Sequence, residues 1–329
     1  MILILSNHGD YSSDIVMDHI RMLGGDCQRI NSFDILNKPI NLSLNNDFVS
    51  IGEKIIDPDN IGAVWFRKFG FFRRSQQALN HRKFLEPTAQ SYMATEFSKV
   101  IGVFENYFSN SFWLTNPNRI LLNKFLVLKR AQLLGLLIPP TYIVNNLQEL
   151  INIKKKELRL ISKSIYDPLI IQLGRESYSM YTTEIKEEDV LKLPNFFLPS
   201  MVQKAIPKQF ELRVFYLMGK CYSMAIMSQE DKETSVDYRK YNFKNPNRFL
   251  PYDLPNDIEQ KIIRLMNELS LNTGSIDLIL TPDNEYVFLE VNPTGQFGMV
   301  DYSCNYGLHE KVAKLLICED KKKCYEKSY

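Results

Sequence analysis

The fold is decided by the stretch SIDLILTPDNEYVFLEVN, residues 275–292. Two β-like runs flank Thr281–Glu285, whose composition is typical of a turn. A symmetric turn places Asp277 opposite Glu290, and cross-strand partners project to the same face with their Cβ atoms roughly 5 Å apart. Side chains alternate along a strand, so Asn292 shares that face. The stretch therefore predicts a hairpin with a cluster of oxygen-bearing side chains.

This cluster has the chemistry of a metal site. The same alternation puts Tyr286 and Phe288 on the face of Glu290, and the hairpin itself supplies no basic residue. Two close carboxylates are costly unless one is protonated or a cation lies between them. Hard oxygen ligands of this kind suit Mg²⁺, which is usually completed by substrate phosphates. The alternative is a polar face that meets solvent; the following Asn-Pro-Thr-Gly loop favours the metal.

The composition is that of an ordinary globular enzyme. Of the 329 residues 45% are hydrophobic and 24% charged, and the formal net charge is +2. This balance predicts neither a nucleic acid nor a membrane as partner. The five cysteines form no CxxC pair, and Met1–Leu5 is too short for a signal peptide, so we expect a cytoplasmic protein with reduced thiols.

The first part of the chain reads as a small open α/β domain. Ile2–Leu5 is a continuous apolar run, typical of a strand covered on both faces. A helical pattern over Ser12–Leu23 and further strands at Cys27–Ile30 and Ala63–Phe66 complete the alternation. The first turn, Ser6–Asp10, lacks a glycine-rich phosphate motif, so no dinucleotide is expected there.

The remainder alternates strands and helices. Asn116–Pro117 predicts a helix start, and this helix runs to Gly135. A second amphipathic helix is expected to close at Gly274. A polar loop is expected from Lys163 to Tyr181–Thr183, and a further strand at Met201–Ile206. We expect an α/β (α+β) fold in three units: an N-terminal domain, a central subdomain and a C-terminal subdomain with the metal site, at 1–115, 116–200 and 201–329.

Several further residues suit a nucleotide. Lys124 interrupts an apolar helical stretch and Lys163 ends a strand; each alone is either a phosphate contact or a surface lysine. Arg213 shares a strand face with Glu211, and it either binds phosphate or pairs with that carboxylate. The strand at 201–206 offers backbone groups that could read an adenine edge.

The order of these motifs resembles the ATP-grasp superfamily from about residue 85 to 310. The motifs are Asn123-Lys124, Ser162-Lys163, Gln203-Lys-Ala-Ile-Pro, Glu211-Leu-Arg213, Ile276-Asp277 and Glu290-Val-Asn292-Pro. The resemblance implies ATP and Mg²⁺ as cofactors. It assigns the phosphates to Lys124 and Lys163, the adenine to Gln203 and Ala205, the ribose to Glu211, the phosphate or acyl-phosphate region to Arg213, and the metal to Asp277, Glu290 and Asn292.

Three further features are Ala63-Val-Trp-Phe-Arg67, the run from Gln203 to Arg213, and Asp237-Tyr-Arg239. With these the whole chain resembles the graspetide synthetases within that superfamily, and its size and Trp-Phe-Arg-Lys stretch look closest to the grasp-with-spasm subgroup. Two departures are Gln203, where many ATP-grasp enzymes have Glu, and the loop after Lys163, which is not glycine-rich.

The resemblance implies a peptide macrocyclase. Asp or Glu side chains of a ribosomal precursor peptide, made of leader and core, would be phosphorylated and then closed into esters with Ser or Thr or amides with Lys. Arg239 would contact the substrate acid or the phosphates, and Ser235–Phe243 could dock the leader. A radical SPASM partner encoded nearby and a homodimer are further expectations of the resemblance.

Two other functions stay open. The first is an ATP-grasp ligase that adds an amino acid or small amine to a carboxylate, and the second is a scaffold that binds nucleotide or peptide without turnover. The joint presence of Asp277, Glu290 and Asn292 argues against the scaffold. The four histidines show no metal-ligand spacing.

Overall fold

The computed structural model describes residues 1–43, 48–70, 86–166, 170–173, 176–179, 182–227 and 248–326. The strands are β1 (Ile2–Ser6), β2 (Cys27–Asn31), β3 (Ile40–Leu42), β4 (Val49–Ile51), β5 (Lys54–Ile56), β6 (Ala63–Phe66), β7 (Phe112–Leu114), β8 (Thr141–Asn146), β9 (Leu160–Lys163), β10 (Ile170–Leu173), β11 (Glu176–Ser179), β12 (Thr183–Glu184), β13 (Phe196–Lys204), β14 (Phe210–Leu217), β15 (Lys220–Met227), β16 (Arg248–Tyr252), β17 (Thr273–Leu280) and β18 (Tyr286–Asn292). The helices are α1 (Tyr11–Met22), α2 (Ser32–Asn37), α3 (Pro87–Tyr107), α4 (Lys124–Leu133), α5 (Leu147–Glu157), α6 (Glu187–Val190), α7 (Asn256–Glu268), α8 (Gly298–Cys304) and α9 (Leu308–Glu326).

The N-terminal sheet is parallel and has the order β2-β1-β6-β7. Its two central strands are buried along their whole length, as the continuous apolar runs at Ile2–Leu5 and Ala63–Phe66 predict. Alternate side chains of these strands enter two different cores, one beneath α3 and one beneath α1 and α9. The predicted open α/β arrangement is confirmed, and a small antiparallel sheet, β3-β4-β5, lies beside it.

The remaining strands of the described residues form two larger antiparallel sheets and the two-stranded sheet β10–β11. The central sheet has the order β12-β9-β13-β8 and packs one face on α5. The C-terminal sheet has the order β16-β15-β14-β17-β18. One of its faces is covered by α4 and α7, whose apolar side chains meet those of β14, β17 and β18 in a single core. Each fully buried Leu, Ile or Val in such a core contributes about 1.5–3 kcal/mol, so this layer holds the sheet rigid.

Four expectations from sequence are corrected. Asn116 caps only a short 3₁₀ turn at Pro117–Arg119, and the helix begins at Lys124 with Asn123 as its cap. Gly274 lies inside β17, because α7 already ends at Glu268. The expected polar loop after Lys163 contains the hairpin β10–β11. The strand expected at Met201–Ile206 begins earlier, at Phe196, and ends at Lys204.

The C-terminal helix α9 returns to the N-terminal sheet. Asp320 accepts hydrogen bonds from the N-terminal amine of Met1, at 2.9 Å, and from the backbone N–H of Gly62, at 3.0 Å. The division at 115 and 200 stays a prediction; residue 200 itself lies within β13. Among the described residues we find no helix with the length and apolar character that a membrane span requires.

Candidate active site

A row of charged side chains crosses the C-terminal sheet. Asp277 on β17 pairs with Glu290 on β18, as the turn predicts, and on its other side Asp277 pairs with Arg213 on β14. Cross-strand partners share a face, so all three side chains project from the face that α4 and α7 leave uncovered. The predicted carboxylate pair is therefore present, with a basic residue beside it.

A β-bulge brings Glu290 to this face. Close to the turn Leu280 pairs with Tyr286, and the register shifts between Asp277 and Leu278. The extra residue of β18 interrupts the alternation. Phe288 consequently packs in the helix-covered core, together with Tyr286, and does not share the face of Glu290. The prediction that these residues share one face is wrong, because a bulge cannot be read from strict period-two alternation.

Arg213 binds Asp277 directly. Its Nη1 atom donates to both carboxylate oxygens, at 2.7 and 2.8 Å, and the two side chains are 13% and 17% exposed. Charge-assisted hydrogen bonds of this kind are about twice as strong as neutral ones. The sequence offered phosphate or Glu211 as the partner of Arg213, whereas the structure places Asp277 there.

Glu290 is held by two lysines from other parts of the chain. Lys124 Nζ lies 3.2 Å and Lys163 Nζ 3.0 Å from the same oxygen, Oε2. Lys124 is the first residue of α4, where the side chain of Asn123 accepts hydrogen bonds from the N–H groups of Phe125 and Leu126. Lys163 is the last residue of β9, so the site lies between the central and C-terminal sheets.

Asn292 lies at the end of β18, opposite Ser275. Its side-chain Oδ1 accepts a hydrogen bond of 3.1 Å from the N–H of Thr294, which orients the amide. The residue is exposed, the Thr294 hydroxyl reaches the same oxygen only at 3.5 Å, which is long for a hydrogen bond, and a carbonyl oxygen has a second lone pair. Asn292 can therefore offer an oxygen to a cation beside Asp277 and Glu290.

The residues predicted to bind adenine and ribose lie along β13 and β14. Gln203 is buried and donates its amide to Thr141 Oγ1 at 3.0 Å, while the N–H of Ala205 donates to the carbonyl of Arg159 at 2.9 Å. Because that donor is used by a neighbouring segment, Ala205 can line a base only through its methyl group and carbonyl. Glu211 is buried and binds Lys208.

Two groups were not assigned from sequence. The first is Lys208, which lies in the run from Gln203 to Arg213 and forms an ion pair with Glu211. The spacing of three residues between them is the sequence feature that indicates this pair. Arg67, in the Trp-Phe-Arg motif, contacts the loop after Asn292 from the N-terminal sheet, and no local pattern indicates this contact. Arg239 and the stretch Ser235–Phe243 lie outside the described residues.

Comparisons with solved structures identify the fold. The chain is similar to the macrocyclase MdnC bound with precursor peptide MdnA from Microcystis aeruginosa MRC, with a TM-score of 0.81 and 25% identity over 96% of this chain and 99% of that one. It is also similar to a RiPP-associated ATP-grasp ligase of Chryseobacterium gregarium in complex with ADP and a leader and core peptide, with a TM-score of 0.81 and 24% identity over 97% and 96%. Macrocyclase MdnB of Microcystis aeruginosa MRC has a TM-score of 0.73 and 24% identity over 96% and 99%. No protein-family model matches the chain, and no curated protein matches it by sequence.

These likenesses span nearly the whole of each chain and agree with the resemblance drawn from the motifs. They confirm the fold that those motifs predict. The chain therefore has the ATP-grasp fold, and it is similar over nearly its whole length to solved macrocyclase and ligase structures.

Proposed function

We propose that this enzyme uses ATP to phosphorylate Asp or Glu side chains of a ribosomal precursor peptide and closes ester or amide rings within it. The observation behind this proposal is the convergence of Arg213, Lys124 and Lys163 on a carboxylate pair between two sheets. The similar MdnC structure is bound with a precursor peptide, and the similar Chryseobacterium enzyme holds ADP with leader and core peptide. Both support a peptide as the substrate of this chain.

The donor set suits Mg²⁺ brought by a nucleotide. Asp277 and Glu290 are adjacent across the hairpin, and Asn292 adds an amide oxygen two residues further on. No group of three or more His, Cys, Asp or Glu side chains in the described ranges could hold a metal by itself. Mg²⁺ is usually held by one or two carboxylates together with substrate phosphates, so this set fits. The ion would neutralise charge on the transferring phosphoryl group.

The lysines change partner in this proposal. Without nucleotide, Lys124 and Lys163 both neutralise Glu290, and Arg213 neutralises Asp277. Among the described residues three cations face two carboxylates, and the negative charge of a triphosphate would draw the lysine ammonium groups away from Glu290. Glu290 is then released for the metal, and the lysines bind the phosphates. Gln203 and Ala205 line the adenine, and Glu211 exchanges its contact with Lys208 for hydrogen bonds from the ribose hydroxyls.

The chemistry has two steps. A carboxylate oxygen of the peptide attacks the γ-phosphorus, the bond to ADP breaks, and an acyl phosphate forms. A Ser or Thr hydroxyl or a Lys amine then attacks the acyl carbon, loses its proton, and displaces inorganic phosphate. Arg213, fixed by β14 at one end of the row, would stabilise the phosphate oxygens in both steps. Phosphoryl transfer of this kind needs positioning and charge rather than a protein nucleophile.

The test is a mass measurement on a cognate precursor, sought as a short acidic, Thr/Ser- or Lys-rich reading frame beside the gene. Incubation of the full chain with precursor, ATP and Mg²⁺ is expected to remove one water mass per ring, and ADP in place of ATP is the control. A gain equal to an added amino acid or amine would instead establish the small-ligase alternative. An unchanged mass despite nucleotide and peptide binding would establish the scaffold.

Finer assignments rest on the sequence resemblance alone. They are the grasp-with-spasm subgroup, a radical SPASM partner encoded nearby, a homodimer, a cytoplasmic location, and contact of Arg239 with the substrate acid or the phosphates. Sedimentation of the purified chain tests the dimer, and Arg239→Ala tests the last, with a loss of turnover expected.

A further inference from the structure

Arg67 joins the N-terminal sheet to the loop that follows Asn292. It comes directly after β6 and is only 3% exposed. Its Nη1 atom donates to the carbonyls of Thr294 and Gly295, both at 2.8 Å, and its Nη2 atom donates to Gln296 Oε1 at 2.7 Å. One guanidinium therefore holds three consecutive residues of another sheet's loop, a geometry that a planar fork of donors allows and a lysine does not.

The other side of Arg67 is fixed by a buried carboxylate. Arg67 Nε lies 3.3 Å from Asp10 Oδ2, and Asp10 also accepts a hydrogen bond of 2.6 Å from Ser13 Oγ. Burial tends to raise the pKa of Asp10, but the charge of Arg67 and the bond from Ser13 outweigh it, so the pKa lies below its ordinary value. The pair is charged, and Asp10 fixes the orientation of the guanidinium.

The loop itself is tightly built. The N–H of Gly295 donates to the carbonyl of Asn292 at 3.1 Å, and the N–H of Thr294 donates to the Asn292 side chain at 3.1 Å. A Cβ atom on Gly295 would lie 2.4 Å from the Cβ of Ser275, so the loop backbone lies directly against β17. The Thr294 carbonyl that Arg67 holds belongs to the same peptide unit as the Gly295 N–H. Arg67 therefore fixes the donor to the Asn292 carbonyl and with it the turn in which the Thr294 N–H orients the Asn292 amide.

We propose that Arg67 is a positioning residue for the metal site, acting through the Thr294–Gln296 loop to set the direction of Asn292 Oδ1. Arg67 does not contact substrate, because its guanidinium is buried and directed at the loop and Asp10. The N-terminal domain thereby controls a ligand on the C-terminal sheet. This inference rests on the proposed role of Asn292 toward Mg²⁺.

The test uses Mn²⁺ as the probe and measures its affinity for the full chain saturated with ADP, by electron paramagnetic resonance. Arg67→Lys retains the charge beside Asp10 but cannot hold all three loop acceptors. It is expected to weaken Mn²⁺ binding about tenfold, as loss of an outer-shell partner of a metal ligand does. ADP affinity without metal is expected to stay at the wild-type value, because Lys124 and Lys163 are untouched.

The matched control is Arg29→Lys. Arg29 lies in the same sheet and its side chain is 11% exposed, against 4% for Arg67, but it binds Asp14 and Asn31 within the N-terminal domain. The variant Arg29→Lys is expected to lower the midpoint of thermal unfolding without changing the affinity for Mn²⁺. If Arg67→Lys leaves Mn²⁺ affinity unchanged, or if both variants weaken it equally, Arg67 is only a structural link and the inference is wrong.

Two further variants keep the test decisive. Should Arg67→Lys fail to fold, Gln296→Leu removes one of the contacts between Arg67 and the loop. A clear weakening of Mn²⁺ binding by this variant supports the inference, and an unchanged Mn²⁺ affinity overturns it. Asn292→Ala reports on the premise: unchanged Mn²⁺ affinity there overturns both the metal role of Asn292 and the role of Arg67. A wild-type chain that binds ADP and Mn²⁺ but dehydrates no peptide contradicts only the proposed function.

Discussion

One face of β14 is charged at one end and apolar at the other, although both ends have the same regular strand backbone. At one end Arg213 binds Asp277, which lies beside Glu290. Two residues further on, Phe215 stacks on Phe297 with ring centroids 4.6 Å apart. The apolar end is covered by α8, α9 and strands of the N-terminal sheet, whereas the charged end faces lysines from α4 and β9.

This difference shows what strand alternation encodes. Alternation assigns Arg213 and Phe215 to one face, and it does so correctly. It does not say what lies opposite, and the covering element decides whether a position stabilises the fold or binds a ligand. The two ends should therefore respond to substitution in different measurable quantities.

The largest effect is expected at the charged end. Glu290→Ala removes the carboxylate that both lysines neutralise and that the proposed metal needs, so product formation should fall by about 10³-fold or more. The fold should be retained, as checked by circular dichroism, because Glu290 adds no apolar contact to the cores. Glu285→Ala, in the exposed turn of the same hairpin, is the control. Undiminished turnover by folded Glu290→Ala would remove Glu290 from the site.

The next effect belongs to the apolar end. Leu217 is 6% exposed and packs in the core formed with α8 and α9. Leu217→Ala should lower the free energy of unfolding by about 2–5 kcal/mol, because it removes buried apolar surface and leaves a cavity. Turnover per folded molecule should change little. Urea denaturation measures the first quantity, and a variant that loses turnover without losing stability would contradict the division between the two ends.

The smallest effect is expected at a lysine that faces the charged row. Lys163→Met removes one charge-assisted contact to a phosphate, so ADP affinity should fall roughly 10–100-fold by calorimetry. Lys204→Met is the matched control, since Lys204 lies on neighbouring β13 and reaches Glu157, 3.6 Å away. Equal affinities of the two variants would mean that Lys163 only neutralises Glu290.

Local sequence signals were reliable where one interaction decides the structure. Continuous apolar runs located β1 and β6, and turn chemistry located the hairpin with Asp277 opposite Glu290. They failed at the start of α4. Asn116 caps only the 3₁₀ turn at Pro117–Arg119, whereas Asn123 caps α4 and so places Lys124 at the helix start beside Glu290.

The sequence by itself determined the carboxylate hairpin and the order of motifs, because turn composition and alternation act over a few residues. Only the tertiary structure decided which cations reach the carboxylates and that Arg67 holds the loop after Asn292. It also decided the bulge in β18, which directs the side chain of Phe288 into the core. Those contacts join elements far apart in the chain. Their geometry depends on how whole sheets and helices pack, and no periodicity of the sequence records it.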